Sequence, residues 1–179
     1  MIKTKPQRLA LAVSLALAPA YLNAAVLEEV TVTAQKREQS LQDVGIAVTA
    51  FTGQQLDNLG FDNAQQITSM TPGVTTIQPN GPSSYFTNIR GVAQNDFSGD
   101  HQESPVAIYV DEVYISAASG AGFQLFDFER VEVLRGPQGT LFGRNATGGL
   151  VHYVTNKPSD EFEGNVEVTY GDYDLVKIE

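Results

Sequence analysis

The chain has no cysteine, which excludes a disulfide framework, a thiolate metal site, a cysteine nucleophile and a cysteine-linked lipid. Positive charge is scarce as well: 11 Lys and Arg stand against 21 Asp and Glu. Three of those bases, Lys3, Lys5 and Arg8, lie in the first eight residues, and no acid precedes Glu28. Beyond the head, eight bases face 21 acids, a net charge of −13. A body that acidic lacks the clustered cations that phosphate contact needs, so nucleic acid is set aside as a partner. Histidine occurs only at 101 and 152, too far apart in sequence for zinc-ligand spacing. No run approaches the roughly 20 apolar residues of a membrane-spanning helix. What remains is a chain of 179 residues, 42% hydrophobic, long enough for one domain with appended tails.

The head reads as an address. After the three bases, Leu9 to Ala18 is an unbroken, weakly apolar run, followed by Pro19, Ala20 and Asn23-Ala24-Ala25. That order is the layout of a secretory signal peptide, with cleavage expected near Ala24 or Ala25. Ala18-Pro19-Ala20 also satisfies the small-residue rule, and a buried amphipathic helix is the alternative for the run. Residues 1–25 are therefore expected to be removed on export.

Along the mature chain, Glu28 to Ala34 alternates β-branched residues and reads as a lone strand, suited to addition onto a partner's sheet edge. A frayed terminus is the competing reading. Order is expected from Ile46-Phe51, a strand. Thr52 with Gln55 forms a capping box for a helix closed by Gly60, and Asp62 with Gln65 opens a second, ended at Thr71-Pro72-Gly73. Strands follow at Val74–Gln78, Tyr85–Ile89, Val106–Val110 and Val113–Ile115, with a turn at Asp111-Glu112. Phe123 to Phe128 reads as a short aromatic helix or turn. Arg130 to Arg135 alternates charged and apolar residues until Leu134, as a half-buried strand does. Gly136 to Gly149 holds five glycines in fourteen residues, and a last β-rich run follows at Leu150–Thr155. The tail, with Val166, Val168 and Tyr170 on one face, a turn at Gly171–Asp174, then Val176 and Ile178, reads as a two-stranded ribbon broken off in mid-strand.

Enzyme motifs are incomplete. Gly143 to Gly148 has P-loop glycine spacing, but Gly149-Leu150 stand where Lys and Ser or Thr are required. Gly120-Ala121-Gly122 lacks the third glycine of a dinucleotide fingerprint, and no G-x-S-x-G elbow occurs. The acids of 96–103 do not match an EF-hand register. Asn145-Ala146-Thr147 is a formal glycosylation sequon. The residues point to no catalytic site, metal or cofactor.

The run from Phe128-Glu129-Arg130 through Leu134-Arg135-Gly136-Pro137-Gln138-Gly139 to Gly148-Gly149 closely resembles the plug domain of TonB-dependent outer-membrane receptors. Further marks stand in the family's order: Glu28 to Ala34 as a TonB box, Ile89-Arg90-Gly91, and Tyr109-Val110-Asp111-Glu112-Val113-Tyr114. Gly45 departs from a usual Pro, Glu112 from a usual Gly, and Leu150-Val151-His152-Tyr153 from Ala-Ile-Asn-Ile. The Glu112 departure leaves the form of that turn open.

The resemblance implies an α+β plug, a small mixed sheet of roughly four strands with short helices and long loops. It is expected to lead into the first hairpin of a truncated transmembrane barrel of roughly 22 strands. The implied division is signal peptide 1–25, flexible segment with TonB box 26–43, plug 44–158 and barrel start 159–179. The implied function is uptake of a large, scarce nutrient, a ferric siderophore above others, across the cell outer membrane. Glu29, Val30, Thr31, Val32 and Thr33 are then the strand that TonB takes up. Arg90 and Arg135 lock the plug to barrel carboxylates, with solvated strand-end arginines as the alternative. Gly91, Gly136, Gly139, Gly143, Gly148 and Gly149 serve turns and close packing. Asn95, Asp96, Asp100 and His101, on a polar loop, are candidate cargo contacts. Two rivals remain at this point: a TonB-dependent signalling receptor, and a free-standing periplasmic binding module from a truncated product.

Overall fold

The computed structural model describes residues 29–61, 63–79, 81, 84–94, 103–117, 122, 125–162, 164, 166, 168–173 and 175–178. Its centre is a five-stranded mixed sheet. Strand β3 (Ala47–Thr52) forms one edge, then come β8 (Phe128–Arg135), β9 (Gly149–Thr155), β6 (Val106–Val110) and the short β7 (Val113–Tyr114). Strand β9 runs parallel to β6 and antiparallel to β8, and the remaining pairs are antiparallel. The central strands β8 and β9 are the β-branched-rich runs, as strands covered on both faces require.

One face of this sheet carries Val131 and Val133 of β8, Val151 and Tyr153 of β9, and Val106 and Ile108 of β6. It is covered by helix α1 (Gly53–Asn58), helix α2 (Ala64–Met70) and a ribbon of β4 (Val74–Ile77) with β5 (Phe86–Ile89). Leu56, Ile67, Tyr85 and Ile89 fill the space between. The Tyr85 and Tyr153 hydroxyls meet at 3.4 Å. Burial pushes the Tyr85 phenol up to about 12, against a smaller opposing effect of its Tyr153 contact. Burial raises Tyr153 as well, and the neighbouring Tyr85 adds to it.

Local signals explain the helices. Thr52 caps α1 with Gln55 in a reciprocal box. The second box lies one residue beyond its expected place: Asn63, not Asp62, caps α2, with Gln66 as the return partner. Asparagine competes equally with aspartate for that role, so spacing alone did not decide between them. At Gly149, with φ +140°, a Cβ would lie 2.2 Å from the Leu134 carbonyl oxygen, so only glycine lets β9 approach β8 there.

Two further expectations are corrected. Phe128 belongs to no helix or aromatic turn; it opens β8, which continues to Arg135. The glycine-rich stretch holds a one-turn helix, α3 (Gly139–Phe142), that seats the Phe142 ring against the sheet. Strand β8 is also not half-buried: Arg130 to Leu134 are all buried, the charged members included. At the Asp111-Glu112 turn the hairpin has two loop residues, with Val110 paired to Val113 and Asp111 at φ +53°. The chain's last described elements, β10 (Val168–Gly171) and β11 (Leu175–Ile178), form a separate antiparallel ribbon.

Candidate functional site

The second face of the sheet places the site. Strand alternation puts Arg130, Glu132 and Leu134 of β8 on this side, with Leu150 and His152 of β9 and Ala107 and Tyr109 of β6. Half of the face is apolar and half is charged. The N-terminal segment covers both halves.

The expected lone strand is not alone. Thr31–Val32 forms β1 and pairs antiparallel with β2 (Gln39–Ser40), in the register Thr31 to Ser40 and Val32 to Gln39. Residues 33–36 turn back between them, with the Lys36 N–H donating to the Thr33 carbonyl at 2.8 Å. Val32 and Ala34 point inward and are 0% exposed, packed with Leu134, Leu150, Phe142 and Ala146. Burying one valine side chain is worth about 1.5–3 kcal/mol, enough to hold a ribbon that two residue pairs alone would not. Lys36 fastens the turn from outside: its ammonium lies 2.9 Å from Glu112 and 5.2 Å from the centre of the Phe142 ring.

Beneath Thr33 lies a buried carboxylate. Glu132 is 0% exposed, and its Oε1 accepts from the Thr33 N–H at 2.7 Å, the Thr33 hydroxyl at 3.3 Å and Arg130 Nε at 2.8 Å. Arg130 also donates through Nη2 to the Thr33 hydroxyl at 3.0 Å and through Nη1 to Glu129. The other oxygen, Oε2, faces Nδ1 of His152 at 3.9 Å, and neither atom has a hydrogen-bond partner. His152 sits directly across the ladder from Glu132 and joins the Asp111 carbonyl through Nε2. Burial by itself raises the Glu132 carboxyl. The facing His152, the Thr33 amide and Arg130 outweigh it and hold the group below its ordinary value. Clefts of about 450 and 430 Å³ flank the segment, both lined by Thr31, Glu129 and Arg130.

Sequence reasoning missed Arg130, Glu132 and His152 as parts of one site. The signal was present: a glutamate between two valines at the centre of a strand is either on a solvated face or committed to a buried partner.

The two arginines come together elsewhere. Arg90 follows β5 at φ +53°, its N–H donating to the Gly73 carbonyl at 2.8 Å, and its side chain is exposed. Arg135 ends β8 and donates from Nη1 to the Pro72 carbonyl at 3.1 Å, while its buried Nε is unpartnered. Among the described residues neither has an acid within ion-pair distance. Of the candidate glycines, 91, 136, 143 and 149 have positive φ, 139 opens α3, and 148 packs against Val92. Asn95, Asp96, Asp100 and His101 lie outside the described residues.

The chain also matches known proteins. The TonB-dependent Receptor Plug Domain family matches residues 40–150, more than half of the chain. The chain belongs to the plug family of TonB-dependent receptors. The pesticin receptor of Yersinia pestis is 31% identical over 157 residues, 84% of this chain and 23% of that protein. The vitamin B12 transporter BtuB of Vibrio vulnificus is 31% identical over 166 residues, 88% of this chain and 26% of its own length. Among solved structures, the ferric yersiniabactin uptake receptor FyuA of Yersinia pestis superposes with a TM-score of 0.58 at 29% identity. That match covers 65% of this chain and 18% of FyuA. The chain spans about a quarter or less of these relatives, and what it covers in them is the plug.

Proposed function

We propose that the chain is the N-terminal part of a TonB-dependent outer-membrane receptor for energy-coupled uptake of a large, scarce nutrient, a ferric siderophore first among candidates. The reading takes residues 1–25 as the signal peptide, 26–43 as the coupling segment, 44–158 as the plug and 159–179 as the start of the barrel. Residues 29–33 supply a strand to TonB. Arg90 and Arg135 meet carboxylates of the barrel wall, which explains why, among the described residues, neither cationic group has an acid within ion-pair distance. The loop with Asn95, Asp96, Asp100 and His101 meets cargo. The reading assigns no reaction to the chain and no cofactor.

The observation that carries this reading is the form of residues 29–34. They make an extended segment held by one two-residue ladder and a few side chains, at the margin of a plug that is otherwise deeply packed. A short strand of that kind can be taken up by a partner's sheet edge at modest cost, because main-chain hydrogen bonds replace the ones released. The ferric and vitamin B12 cargoes named for the relatives support a large nutrient as the substrate class.

Titration of the purified chain with the periplasmic domain of TonB tests the reading. Saturable binding is expected, weakened about tenfold or more by Thr33→Pro, which removes a strand N–H. Absence of binding to the wild-type chain overturns it, as does equal binding of the proline variant.

A further inference from the structure

In an antiparallel pair the backbone groups of alternate residues face the partner strand, and those between them face away. The Leu41 N–H donates to the Val30 carbonyl at 2.9 Å, so residues 30 and 32 turn their polar groups toward β2. Thr31 therefore turns its N–H and carbonyl to the opposite edge, and Thr33 its N–H, while the Thr33 carbonyl accepts from Lys36 within the turn. That is the edge a further strand would join. The Thr33 N–H on it is already taken, by Oε1 of Glu132 at 2.7 Å. A side-chain carboxylate thus stands where a partner strand's carbonyl would stand.

We infer that Glu132, gripped by Arg130 and His152, is a clasp that closes the strand-addition edge of residues 31–33, so that a partner strand joins only after the clasp opens. The inference rests on the reading of residues 29–33 as the TonB-binding strand, and it names the edge used and the group that blocks it.

The clasp is held from two sides. The Asp111 carbonyl can only accept, so Nε2 of His152 donates to it, which fixes the ring with Nδ1 toward Oε2 of Glu132 at 3.9 Å. Arg130 grips Oε1 through Nε at 2.8 Å and reaches the Thr33 hydroxyl through Nη2 at 3.0 Å.

Hydrogen exchange of the full chain reads the clasp directly, because the Thr33 amide is the clasped group. The Val151 amide in the β9 ladder reports the intact sheet. In the wild-type chain the Thr33 amide is expected to exchange at least tenfold more slowly than its intrinsic rate. Glu132→Gln lowers Thr33 protection at least tenfold while Val151 stays protected, and tightens binding of the TonB periplasmic domain at least fivefold. A Thr33 amide that exchanges at its intrinsic rate in the wild-type chain overturns the inference without any variant. Protection lost in Glu132→Gln with no gain in TonB affinity also overturns it. If Val151 is deprotected in Glu132→Gln, Arg130→Lys decides, and unchanged Thr33 protection and TonB affinity in that variant count against the clasp. The exchange measurements contain no TonB, so a chain that never binds TonB defeats the functional reading separately.

Discussion

Two small ribbons flank the central sheet, and they are opposites. The first, β1 with β2, has two residues in each strand; the second, β10 with β11, has four. By backbone pairing alone the second is the stronger. Yet Val32 and Ala34 of the first segment are completely buried, while in the second Val168 is 62% exposed, Tyr170 78% and Ile178 70%. Val168 pairs with Ile178 and Tyr170 with Val176, so the second ribbon gathers these four apolar side chains on one bare face, with Leu175 on the other. A two-stranded ribbon is marginal in water whatever its length, and burial against a third body decides whether it is fixed. The first ribbon finds that body in the plug. The second finds none among the described residues.

The largest effect that sharpens this contrast is expected in the sheet both ribbons adjoin. Leu150 is fully buried under Val32 and beside Leu134. Leu150→Ala should cost about 2–5 kcal/mol in urea denaturation, from lost transfer energy plus the cavity left behind. It should also loosen β1, which rests on that side chain.

Alkaline pH should come next in size, acting through the opposite face. The folded state holds the Tyr85 proton more tightly than the unfolded chain does, about 12 against an ordinary 10. Stability from this group is whole below pH 10 and is lost as pH rises from 10 through about 12. Two units correspond to about 2–3 kcal/mol, and Tyr153 shifts in the same direction. Urea midpoints measured at pH 9 and pH 12 check it. A midpoint that does not move would mean that the tyrosine pair reaches water in the folded state.

Much of this was readable from the residues, for reasons that also explain the failures. The β-branched runs of β6, β8 and β9 and the first capping box announce themselves locally. Gln39–Ser40 has neither β propensity nor alternation; it is a strand only because Val32 brings β1 down beside it. The alternation of Arg130 to Leu134 identified a strand and its two faces, but period 2 does not say what covers a face. Charged residues on one side were read as solvated, and their cover came from a segment about a hundred residues earlier. His152 read as solitary because its partner lies across a ladder whose register the sequence does not reveal. The docking of residues 31–34 over Glu132 is a tertiary fact written in no single stretch.

The smallest expected effect tests the second ribbon. Tyr170 stands on the bare face, across from Val176, with most of its surface in water. Tyr170→Ser removes a large apolar side chain, but one that buries little. The change in unfolding free energy of the chain in aqueous buffer should stay within about 0.5 kcal/mol, the range of surface substitutions away from packed features. A loss as large as that of Leu150→Ala would show that the face is covered in solution, by the plug or by a second copy of the chain. The contrast between the ribbons would then lie in which surface covers each, and no longer in whether they are covered.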